Sequence, residues 1–175
     1  MKKLILVNGI IAGTIIIAML LVTFSGSSIS EYGELLGYAT MIIAFSSIFF
    51  AIRSHRDKHL NGSIGFGKAF KIGLGITLVA TIIYIVAWMI MSNTIAKDFM
   101  ADYYQQSVEK LQASDLSEEV INQKIAEMDN FQELYKNPLV KIGMTFLEIF
   151  PVGLIISLIS ALILKKTKTT NTQTA

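Results

Sequence analysis

The sequence contains no cysteine. It therefore has no disulfide, no thiolate metal centre and no cysteine nucleophile. Charge is also scarce. Asp, Glu, Lys and Arg make up 16% of the 175 residues, well under the roughly 25% of soluble domains. There are two prolines, Pro138 and Pro151, and two histidines, His55 and His59. No triad of nucleophile, base and orienting acid, no HExxH and no acidic cluster of enzymatic type lies within the apolar stretches. An enzyme is not expected, nor is a cofactor, and nothing supports nucleic-acid binding.

Apolar residues take up most of the chain, at 53%. They fall in runs of about 20, the length needed to cross a hydrocarbon core about 30 Å thick. The fold class this predicts is all-α: a four-helix integral membrane bundle in one membrane domain, residues 1–175. The spans are predicted at about 4–25, 35–52, 70–91 and 139–164. Met1-Lys2-Lys3 ahead of Leu4 resembles the start of a signal peptide. The apolar stretch that follows exceeds the usual h-region of about 7–15 residues. No clean A-x-A site comes after it, so it reads as a retained first span. Gly9 and Gly13 form a G-x-x-x-G pair, a pattern that lets a second helix approach closely and offers a dimerisation face.

From Ser92 to Pro138 the composition changes. This segment holds nine acids and four lysines and has no glycine. Apolar residues recur at helical spacing, first Ile95, Phe99, Tyr103, Val108 and Leu111, then Val120, Ile121, Ile125, Met128, Phe131 and Tyr135. Asp115 followed by Glu118 reads as a capping box, and Asn137-Pro138 as a stop. The expectation is an amphipathic helical hairpin at about 92–138. Its first helix continues span three without a break and turns near Ser114. Of Tyr103 and Tyr104, at least one is expected to pack against the return helix. The threonine-rich tail, 167–175, is expected to be disordered.

Short cytoplasmic loops collect lysine and arginine. With four spans, the N-terminus, the middle loop and the C-terminus share one side. That side carries ten basic residues, among them the membrane-surface anchors Arg53, Arg56, Lys58, Lys68 and Lys71, against one acid, Asp57. The other side carries Glu31, Glu34 and the acidic segment. Both termini are therefore expected in the cytoplasm and the hairpin outside, in a bacterial cytoplasmic (inner) membrane. The expected partners are the lipid bilayer and either a second copy or another membrane protein.

Glu148 is the costliest residue to insert, at roughly 2.5–3.5 kcal/mol for a mid-span carboxylate. Counted at about 1.5 Å per residue, it lies at a depth similar to Tyr84 on span three and Thr40 on span two. These three residues form a candidate intramembrane polar site. One reading is a proton- or cation-coupled site next to Pro151, which frees the carbonyl of Leu147. The other is a structural carboxyl bonded to a neighbour. His55 and His59 are spaced i, i+4, but they are read as loop residues among cations that repel a metal. Gly62, Gly65, Gly67, Gly73 and Gly75 match neither phosphate-binding glycine pattern.

Ile64-Gly65-Phe66-Gly67-Lys68-Ala69-Phe70, within Asn61 to Ile76, resembles a motif of small bacterial membrane proteins, the domain-of-unknown-function family 4199. Gly65 stands where that motif has a hydroxylated residue. The resemblance covers roughly Lys2 to Lys166. It implies four membrane helices with a variable helical insertion before the last, and it brings no catalytic or binding residues.

Overall fold

The computed structural model describes residues 1–25 and 33–166. The polar loop around Glu31 and the tail at 167–175 lie outside the described residues. Among these residues there are six helices: α1 (Lys2–Ser25), α2 (Gly33–His59), α3 (Phe66–Met91), α4 (Phe99–Gln112), α5 (Glu118–Tyr135) and α6 (Pro138–Leu164). Helices α1, α2, α3 and α6 are long and apolar enough to cross a membrane.

These four form a bundle in which α3 packs on α1 and α6, and α2 packs on the same two helices. Glycines bring α3 close to both of its neighbours. A Cβ on Gly9 of α1 would come within 2.6 Å of Val79, and one on Gly13 within 3.0 Å of Ile83. The G-x-x-x-G face is therefore spent inside the chain against α3, and it is not free for dimerisation. On the other side of α3, Gly73 meets Ser157 of α6, and Gly153 of α6 meets Thr77. The Thr77 and Ser157 hydroxyls share a buried hydrogen bond of 3.1 Å. Small residues with polar links are what hold membrane helices together, since lipid is as apolar as leucine.

Phe45, Ile48 and Ile52 of α2, Ile72 and Ile76 of α3 and Ile149 of α6 are fully buried between the helices. The outward faces are equally apolar: Ile43 is 67% exposed, Ile82 60% and Ile163 64%. Burial of apolar area is worth about 25 cal/mol per Å² in water, so such a surface suits a lipid surrounding.

The basic stretch is more ordered than a loop. Helix α2 runs on to His59, and α3 begins at Phe66. The chain reverses at Asn61 and Gly62, with φ of 52° and 76°, the left-handed region that glycine and asparagine enter most easily. Ile64 then pairs with Lys166 as an isolated antiparallel bridge, with N–H···O distances of 3.0 and 2.9 Å. Arg56 Nη1 donates to the carbonyl of Leu164 at 3.3 Å, which closes the C-terminus of α6. Its Nε donates to Asp57 at 2.7 Å. Arg53, Lys58, Lys68 and Lys71 are exposed around this end.

Between α3 and α4 the chain turns over residues 92–98. The expected continuous helix is absent. Side chains of Ser92, Asn93 and Thr94 donate to the carbonyls of Met89 and Ile90, and such local bonds compete with helix propagation. Helix α5 starts after Ser117, which occupies the N-cap position without a side-chain bond, so Asp115 forms no capping box. At the other junction the Asn137 side chain accepts from Leu139 N at 2.9 Å, and Pro138 fills the first position of α6, where a missing N–H costs nothing. Helices α4 and α5 contact each other. Tyr104 donates to Asp129 of α5 at 2.6 Å, a hydrogen bond between the two helices at an exposed position. The accepting carboxylate holds the Tyr104 phenol above its usual range.

Candidate functional site

Tyr84 and Thr40 line one small cavity of about 90 Å³, together with Ile16, Met19, Leu20 and Met41. Thr40 donates to Leu36 O within its own helix at 2.8 Å. Glu148 is not among the lining residues of this cavity. Its side chain is exposed on the surface of α6. Tyr84 and Thr40 thus share one cavity, and Glu148, outside its lining, lies within electrostatic reach of Tyr84. Helix α6 continues through Pro151. One turn beyond Thr77 on α3, Thr81 Oγ1 is buried without a hydrogen-bond partner among the described residues.

His55 and His59 lie on the last turns of α2, not in a loop, with ring centroids 5.2 Å apart. Among the described residues no group of three or more His, Cys, Asp or Glu is placed to hold a metal.

A second polar cluster lies where α3 ends and α6 begins. Trp88 near the end of α3 and Ser92, its C-cap residue, are one turn apart. Trp88 Nε1 donates to the Tyr135 hydroxyl at 2.7 Å, tying the last residue of α5 to the end of α3. Lys141 Nζ donates to Ser92 Oγ at 3.2 Å and lies 5.3 Å from the centroid of the Tyr135 ring, a cation–π distance. Burial pushes the Tyr135 phenol up, which keeps it protonated. A cavity of about 410 Å³ opens beside these groups. Nothing in the sequence signals that these residues meet. Tyr135 reaches Trp88 only because α4 and α5 lead the chain back to the bundle.

The family described as "Protein of unknown function (DUF4199)" matches residues 8–166. The chain belongs to this family. The motif Ile64 to Phe70 now has a structural role. Ile64 is buried and bridges to Lys166, Gly65 is the extended N-cap of α3, and the rings of Phe66 and Phe70 stack with centroids 5.8 Å apart. No curated protein and no solved structure matches the chain.

Proposed function

We propose that the chain is a non-enzymatic, multi-pass protein of a bacterial cytoplasmic membrane, structural or regulatory in role. In this reading both termini are cytoplasmic, and α4 and α5 form an extracytoplasmic hairpin that binds a membrane-protein partner or a second copy of the chain. One observation carries the proposal: α5 buries none of its residues, although it carries Val120, Phe131 and the 59% exposed Leu134. An isolated helix pair gains little from packing alone, so an apolar face left open on it suits a partner surface. The basic end of the bundle supports the orientation, because the starts of α1 and α3 and the ends of α2 and α6 gather the lysines and arginines there.

A photo-crosslinking residue at position 134 tests the hairpin. The expected result is one discrete adduct in membranes, at twice the chain mass for a second copy and at another fixed mass for a different partner. A folded protein that crosslinks to lipid alone at this position contradicts the reading.

Glu148 favours a second reading, a subunit of an oligomeric proton- or cation-coupled transporter. Four spans are few for a solute path in one chain, and the exposed carboxyl on α6 suits a contact with another subunit. On this reading Glu148→Gln abolishes coupled flux in proteoliposomes, because the amide cannot carry the proton or the charge. Unchanged flux in that variant removes the transporter reading.

A further inference from the structure

The 410 Å³ cavity at the junction of α3, α5 and α6 has Trp88, Ser92, Lys97, Tyr135, Lys136 and Lys141 among its lining residues, and none of the lining residues is an acid. Its polar groups point to one kind of ligand. Trp88 Nε1 already donates to the Tyr135 oxygen, which leaves the phenolic O–H to donate elsewhere. Lys141 Nζ has three N–H bonds, and one is directed at Ser92 Oγ. Among the described residues no carboxylate lies within ion-pair distance of Lys141 or Lys97. Lys136 is paired with Glu133 at 2.5 Å on the exposed side, and Glu148 acts on Tyr135 from outside the lining, which leaves Lys141 and Lys97 as the lining cations without an ion pair among the described residues. Half-buried donors that lack acceptors lower their free energy by binding an anion with several oxygens.

We propose that this cavity binds a phosphate group, the headgroup phosphate of an anionic phospholipid. The proposal rests on the reading that α3 and α6 cross a bilayer, and it is independent of any partner of the hairpin. The cavity lies at the ends of both spans, the depth at which headgroups lie. Its Trp and Tyr have apolar bodies and polar tips, the pairing enriched at membrane interfaces. Its volume is within the range of about 300–1,000 Å³ typical of small-ligand sites. Lys141 is pre-positioned by Ser92 and the Tyr135 ring, so little side-chain freedom is lost on binding.

The single tryptophan of the chain lines the cavity, so its fluorescence reports on the site directly. The full-length protein in a neutral detergent is titrated with short-chain phosphatidylglycerol, with the matching uncharged diacylglycerol and with inorganic phosphate. The expected result is a saturable change with phosphatidylglycerol alone. Lys141→Gln should weaken it about tenfold, as loss of a charge-assisted bond implies, and Lys97→Gln, an exposed change that does not threaten the fold, about threefold. Lys165→Gln, at the opposite end of the bundle, should leave it unchanged. Saturation by inorganic phosphate as tight as by the lipid keeps the phosphate site but moves its source to a soluble anion. An equal response to diacylglycerol, or no saturable response to either phosphate-bearing ligand, overturns the proposal.

Discussion

Gly153→Leu is expected to destabilise the bundle by about 3 kcal/mol or more, the upper part of the range for overpacking a close contact. Even a single added carbon would overlap Thr77 Cγ2, and it would fall 2.7 Å from Thr77 Oγ1 and 3.0 Å from Phe45 Cζ. Neither neighbour has room to yield. Thr77 is fully buried and bonded to Ser157, and Phe45 is fully buried in the core. Three of the four apolar helices meet at this point, so the insertion parts α6 from both α3 and α2. Gly143→Leu is the control, ten residues earlier on the same helix. A Cβ there meets nothing within 4 Å, and it should change stability by no more than about 0.5 kcal/mol. Thermal unfolding of the two variants in detergent compares them directly. Equal midpoints would mean that α3 and α6 do not pack through Gly153.

The four long helices are legible in the sequence because apolar runs of span length are hard to place otherwise. Their ends are less so, and the reason differs from place to place. Span two is expected to end near 52, where the charged residues begin, yet Arg53 to His59 remain helical, since nothing breaks the helix before Asn61-Gly62. With no Gly or Pro between them, the sequence predicts that span three runs straight into the next helix. Instead, three short polar side chains in succession bond back to the helix and end it. The Gly9–Gly13 pair announces a close helix neighbour without saying which. The neighbour is α3 of the same chain, with Gly75 meeting Ile5 further along the same interface.

The candidate site was legible only in part. Depth counting places Glu148, Tyr84 and Thr40 at one level, but a depth says nothing about rotation around a helix axis. That rotation puts Tyr84 and Thr40 on one cavity, with Glu148 outside its lining but within electrostatic reach of Tyr84. The Trp88–Tyr135–Lys141 cluster could not be read at all. Its members come from three helices, and only the return path through α4 and α5 brings them together.

The central claim, four crossings with the basic end inside and α4–α5 outside, has a direct test. The chain has no cysteine, so single cysteines can be introduced without background. Ser117→Cys marks the exposed turn between α4 and α5, and Lys58→Cys and Lys165→Cys mark the basic end, all at exposed positions. Intact cells are treated with a membrane-impermeant maleimide before and after permeabilisation. The expected result is all-or-none: Ser117→Cys reacts in intact cells, and the other two react only once the membrane is opened. Labelling of Lys58→Cys or Lys165→Cys in intact cells, or protection of Ser117→Cys there, would contradict the topology.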